Sequence, residues 1–248
     1  MTGRPYSARA AEGNIIARAG VRRLTMGWAG TYRTLGPKGF ASYALSRTAA
    51  ALPGVLYRRY QLIAVPRAAM PAMPRGHWVR ALTHAEIRHL APDLELDDAT
   101  IGFRLRQDMT CLAAFRGERV VGVTWLTDQP FDEDEVMVRF VPPPGAAWDT
   151  GLYIRPDDRG GRAFAALWAG TGEWLDGRGL GWSMSRITDY NDSSWRSHAR
   201  MGARVVDTLT ALRIGRQQWL VGARPSRLRI APGAQPPVLL LPSPEEAA

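Results

Sequence analysis

Residues 152–168 read Leu-Tyr-Ile-Arg-Pro-Asp-Asp-Arg-Gly-Gly-Arg-Ala-Phe-Ala-Ala-Leu-Trp. An apolar β-forming run (Thr150 to Ile154) meets a charged, glycine-bearing turn, which opens into an alanine- and aromatic-rich stretch of helical character (Gly161 to Trp174). A strand, a tight Gly160-Gly161 turn and a helix can point backbone N–H groups and the positive end of a helix dipole at an anion. The same string also suits a plain turn before a surface helix.

Outward from this unit, Trp182 to Thr188 reads as a strand, Ser193 to Met201 as a helix and Arg204 to Ile214 as a closing strand. Upstream, Thr110–Phe115 and Arg119–Leu126 flank Arg116-Gly117-Glu118 as a hairpin, and Trp78–Leu82 suits a short strand. Thr83 precedes a helical stretch with Glu86 three residues on, a capping-box spacing. Asn191, Ser194, His198 and Gly202 follow one another at spacings that put the first three on one helical face, with Gly202 free to end the helix at positive φ. The expected class is α/β with a mixed central sheet and flanking helices.

These two stretches, in this order and with a strand between them, resemble the GNAT acyltransferase superfamily. The family's turn is Arg or Gln, two free positions, Gly, one free position, then Gly or Ala. Starting at Asp158 places Gly161 and Ala163 at the small positions, with Arg159 and Arg162 as further phosphate partners; starting at Arg159 does not. Asn191, Ser194, His198 and Gly202 match the family's Asn-x-x-Ala-x-x-x-Tyr-x-x-x-Gly pattern, with His198 where a tyrosine usually stands. The resemblance implies an acyl-CoA-dependent N-acyltransferase without metal, transferring acyl groups other than amino-acyl groups by direct attack of an amine on the thioester.

It further implies that backbone in Leu152 to Ile154, on a splayed strand, polarises the thioester carbonyl, and that His198 protonates the departing thiolate. The donor would lie on Leu152, Ile154, Arg159, Gly160, Gly161, Arg162, Ala163, Asn191 and Ser194. Asn191 suits a helix N-cap equally well. Tyr153, Asp189 and Asp149 are the residues near the sheet opening that could serve as base.

The chain has 248 residues and a net charge of +9. Residues 1–76 hold twelve basic residues against the single acid Glu12, a net +11, so the remainder carries −2. A basic, mainly helical extension (1–76) before a near-neutral catalytic domain (77–222) and a proline-rich, loosely ordered tail (223–248) is the expected division. Within the extension, Pro37 marks a helix start and Pro53-Gly54 its end, and Phe40, Tyr43, Ala44, Leu45, Thr48 and Leu52 form a loose apolar stripe.

Such a helix suits either an anionic membrane interface or a layer packed on the domain. Nucleic acid fits less well, for no nucleic-acid-binding motif is present. The preferred acceptor is accordingly an amphipathic amine, an amino lipid or sphingoid base in lipid metabolism, handled by a cytoplasmic protein peripheral on the inner face of the membrane. A soluble amino sugar or small amine, or a non-catalytic acyl-CoA binder, is the alternative. No run of residues is long and apolar enough to span a bilayer. The run Asp132 to Glu135 reads as a solvated loop rather than an amine attractor. Cys111, in an apolar run, reads as an inert core thiol.

Overall fold

A computed structural model describes residues 28–94, 96–222, 228–232 and 236–246. The basic residues Arg4, Arg9, Arg18, Arg22 and Arg23, with Glu12, lie outside the described residues.

The chain runs from α1 (Trp28–Ala51) into a long strand, β1 (Val55–Pro66). There follow β2 (His77–Ala81), α2 (His84–Leu90), α3 (Asp98–Leu105) and the hairpin β3 (Thr110–Arg116) and β4 (Arg119–Thr127). Short strands β5 (Phe131–Asp132) and β6 (Arg139–Val141) lead to β7 (Ala146–Ile154), α4 (Ala163–Asp176), β8 (Trp182–Thr188), α5 (Asp192–Ala199) and β9 (Arg204–Ile214). The described chain closes with β10 (Gln217–Gly222), β11 (Leu228–Pro232) and β12 (Val238–Leu240).

Nine strands form one mixed sheet in the order β11-β10-β9-β1-β8-β7-β4-β3-β2. Side chains alternate between its faces. Ala114 and Val121 join Ala163, Ala166 and Leu167 of α4 on one face, while Ala113, Val120, Val123 and Trp125 meet Ile87 and Ile101 of α2 and α3 on the other. Beside α2 and α3, a three-stranded sheet β12-β6-β5 covers Tyr60, Leu62, Trp148 and Met184. The α2 start is the expected capping box: Thr83 accepts from the Glu86 amide, and Glu86 from the Thr83 amide.

Three expectations are corrected. Val55 to Pro66 is not part of a helical extension. It is an interior strand, antiparallel to β8 (Tyr60↔Thr188) and to β9 (Tyr60↔Leu209), so the main sheet takes in residues before position 77. Its burial alternates and then becomes continuous over Leu62–Val65, as suits a strand covered on both faces, but Arg58-Arg59 disguises it in the sequence.

The tail also departs from the expected loose segment: β11 pairs with β10, and β12 runs parallel to β6. Helix α1 does break at Gly36 (φ 67°, ψ 176°), with Pro37 starting its second part, but the apolar stripe is not its packing face. It turns Gly39, Ser42, Ser46 and Ala49 inward instead.

Candidate active site

Strand β7 is antiparallel to β4 and parallel to β8, and the β7–β8 ladder holds only three pairs, Ala146↔Trp182, Ala147↔Ser183 and Trp148↔Met184. Beyond these, β8 stays with β1 up to Tyr60↔Thr188, while β7 stays with β4 up to Gly122↔Ile154. The two strands therefore part after Trp148, and the β8-facing edge of residues 149–154 lies outside the ladder.

A bulge sits in this same segment. Trp125 pairs with Thr150 but Val123 with Tyr153, so Gly151 and Leu152 together oppose Thr124. Gly151 has φ 61°, and a Cβ there would overlap the Arg104 guanidinium, so both backbone conformation and space call for glycine. The extra residue lets Leu152 and Ile154 pack toward α4, while Tyr153 joins the α2–α3 side with Val123 and Trp125. Tyr153 thus belongs to the other face of the sheet.

The next turn ends in an open helix start. Gly160 takes φ 76°, the Gly161 amide donates to the Asp158 carbonyl at 3.3 Å, and α4 begins with Arg162 as N-cap, no side-chain cap and no acid in its first turn. The first amides of α4 therefore keep their hydrogen-bonding capacity at the positive end of the helix. A pocket of about 470 Å3 adjoins them, lined by Arg75, His77, Arg116, Arg159, Gly161, Arg162 and Ala163 together with Asp157 and Asp158.

Asp158 is bound by Arg119 at 2.8 Å, and the Arg159 Nε donates to the Ile154 carbonyl at 3.0 Å. Among the described residues, no ion pair engages Arg75, Arg116 or Arg162, so the pocket is cationic. Sequence reading found Arg159 and Arg162 but missed Arg75, His77 and Arg116. The last two are brought together by the β2–β3 register, His77↔Arg116, which no local pattern announces. Ala163 is 1% exposed against Ala114, Val121 and Leu167, a position that admits only a small side chain.

At the root of the opening, Asp149 lies within electrostatic reach of His198. Asp149 is buried, and its Oδ2 accepts from the Ser183 hydroxyl at 2.7 Å. Burial raises its carboxyl pKa above the ordinary value, and the nearby His198 charge works against that rise. His198, also buried, sits edge-on to Phe164 and Trp168 of α4, with ring centroids 5.9 and 5.3 Å away. Its Nδ1 lies 2.7 Å from the Ser194 carbonyl, which only accepts, so Nδ1 carries hydrogen and Nε2 exchanges the proton.

Asn191 is the N-cap of α5, its Oδ1 accepting from the Ser194 amide at 3.2 Å, and Gly202 (φ 71°) ends that segment. Asp189 is held elsewhere: its amide donates to the Arg59 carbonyl, and its carboxylate lies 3.6 Å from Arg59. Burial raises its pKa too, with Arg59 opposing.

The Asp132–Glu135 run is not a solvated loop. Glu133 is 3% exposed, and Arg186 reaches Glu133, Asp134 and Glu135 at once. Arg58 adds an ion pair with Glu135 at 2.5 Å, Arg104 one with Asp134 at 2.9 Å, and Arg139 holds Asp132 at 2.8 Å. Burial pushes Glu133 up to about 8 against Arg186, whereas Arg104 and Arg186 overcome burial and keep Asp134 below its usual range. The acids are neutralised within the fold and offer no field to a cationic acceptor. Cys111 is buried, and burial pushes its thiol up to about 12. Among the described residues no cluster of histidines, cysteines and acids could hold a metal ion.

No protein-family model matches the chain, and no curated protein matches it. Solved structures do. A GCN5-related N-acetyltransferase from Kribbella flavida is 14% identical over 86% of this chain and 96% of its own, with a TM-score of 0.44. A GNAT-family acetyltransferase from Novosphingobium aromaticivorans is 17% identical over 65% and 66%, at 0.41. A tandem GNAT protein from the clavulanic acid biosynthesis pathway is 16% identical over 77% and 60%, at 0.45. The chain spans 57% of the length of a Drosophila protein in the same set. At these values the likenesses bear on neither substrate nor residue roles. The mixed sheet with flanking helices stands on the chain's own strand order.

Proposed function

We propose that the protein is an acyl-CoA-dependent N-acyltransferase whose reacting centre lies in the opening between β7 and β8. The observation that carries this reading is the set of three features joined by β7 and α4: the parted strands with their bulge at Gly151, the cationic pocket at the start of α4, and buried Asp149 within electrostatic reach of buried His198. Helix α4 links the last two, since Ala163 lines the pocket and Phe164 packs on His198.

In this reading the first amides of α4, with Gly161, Arg159 and Arg162 and now Arg75 and Arg116, hold the donor's phosphates. Backbone N–H of β7 in residues 152–154 polarises the thioester carbonyl. The free amine attacks the carbonyl carbon, the C–S bond breaks, and His198, as imidazolium, gives its Nε2 proton to the departing thiolate. The proton lost by the amine passes to solvent. Asp149, buried on β7 near His198, helps fix the surroundings of the ring. Asn191 and Ser194 shape the α5 start that aims it.

The acceptor we infer is an amphipathic amine, an amino lipid or sphingoid base met at a membrane surface. Arg33, Lys38 and Arg47, exposed on α1 with no acid among residues 28–52, support it. No helix among the described residues is long and apolar enough to cross a membrane.

Thiol release measured with acetyl-CoA and long-chain acyl-CoA against an amine panel tests the activity. His198→Ala is expected to lower kcat about 10²-fold or more with the donor KM nearly kept. Donor binding without release for any amine makes the protein a non-catalytic acyl-CoA binder, and no donor binding removes the reading altogether.

A further inference from the structure

Helix α1 is built the reverse way round from a helix that merely covers a core. Its inward residues are small, Gly39, Ser42, Ser46 and Ala49, and its larger apolar side chains point out: Leu45 and the following Leu52 are each 53% exposed. Ala41, Leu45, Thr48 and Leu52 succeed one another at spacings of four, three and four, so they form one outward stripe. Phe40 borders it, and Lys38 and Arg47, both exposed, stand at its two edges.

At the other end of α1, Trp28 (66% exposed) and Tyr32 (49%) pack edge-on against Phe40, with ring centroids 5.8 and 5.4 Å away. Arg33 lies exposed beside them, and residues 28–52 contain no acid.

Exposed apolar side chains gathered on one helix face mark a surface that another phase or partner covers. Charge selects which. Three cations with no acid suit an anionic lipid headgroup layer, and tryptophan and tyrosine favour the depth where headgroups meet acyl chains. We propose that the outward face of α1 is a membrane-docking surface that lies flat on an anionic bilayer, Leu45 and Leu52 entering the interface while Arg33, Lys38 and Arg47 meet lipid phosphates. The inference specifies the surface behind the membrane acceptor proposed above, and it stands independently of the chemistry at His198.

The experiment is flotation of the full chain with phosphatidylcholine–phosphatidylglycerol vesicles and with phosphatidylcholine alone, comparing wild type with the double variant Leu45→Glu, Leu52→Glu. Both leucines are half exposed, so thermal melting and thiol release with a soluble amine are expected to be unchanged. Wild type should float with the anionic vesicles far more than with the neutral ones, and the variant's partitioning should fall at least about tenfold.

Equal flotation of the two proteins overturns the proposal in favour of residues 1–27 as the anchor. So does a wild type that stays in solution, or one that is dimeric and becomes monomeric in the variant without binding vesicles. Loss of thiol release in wild type, with flotation retained, would count against the acyltransferase reading alone.

Discussion

Two charged excursions of this chain look alike on paper and behave as opposites. Residues 132–135 carry four acids, and residues 155–162 carry three arginines and two aspartates. In the first, Arg58, Arg104, Arg139 and Arg186 reach in from β1, α3, β6 and β8 and cancel the charge inside the fold. In the second, Arg155 pairs with Asp93, Asp158 with Arg119 and Arg159 with the Ile154 carbonyl, while Arg162 remains beside Arg75 and Arg116 at an open helix start. A count of charges along a segment says nothing about its field until the long-range partners are known. The acidic run is structural because of its partners, and the arginine turn is available because it has few.

The largest test of this contrast is Arg186→Met. Removing the one side chain shared by Glu133, Asp134 and Glu135 leaves buried carboxylates underneutralised, and a loss of about 3–5 kcal/mol is expected as a lower urea midpoint.

Asp149→Asn probes a buried acid of the other kind, where function rather than stability should suffer: thiol release should fall about 10²-fold. Because burial raises the Asp149 pKa, the folded protein holds that proton more tightly than the unfolded chain does. Its favourable contribution is complete below the unfolded carboxylate value and is lost as pH rises through the raised one. Asparagine, always neutral, should therefore leave melting at pH 7 equal or higher.

On the arginine side, Arg159→Gln with Arg162→Gln should weaken acyl-CoA binding about tenfold by calorimetry with melting unchanged. The smallest effect separates the two regions by salt alone. Raising ionic strength should weaken donor binding several-fold while leaving the urea midpoint nearly fixed, because screening reaches an open pocket and hardly enters a buried cluster.

Much of the catalytic half was legible. Strands at Trp182–Thr188 and Arg204–Ile214 lie where periodicity puts them, and the Thr83–Glu86 box and Gly202 follow local chemistry that needs no tertiary information. The His198 position came from motif spacing, but its burial against Phe164 and Trp168 of α4 comes from tertiary packing, and spacing cannot show that. The face that Tyr153 takes was not legible, because a one-residue bulge at Gly151 decides it. Arg75 and Arg116 were missed because strand register alone brings their segments together. β1 was missed because its paired arginines and the prolines after it resemble a surface segment, although Arg58 is in fact a buried counter-ion.

β1 also dictates an order of assembly. The first strand among the described residues is paired on both sides with strands far along the chain, Tyr60 with Thr188 and with Leu209. During synthesis β1 must wait for β8 and β9, and until they arrive its two hydrogen-bonding edges are open to other chains. A version beginning at His77 would lack the slat that joins the two halves of the sheet and should aggregate. Folding thus becomes a closure of distant sequence, with the N-terminal third as its clasp.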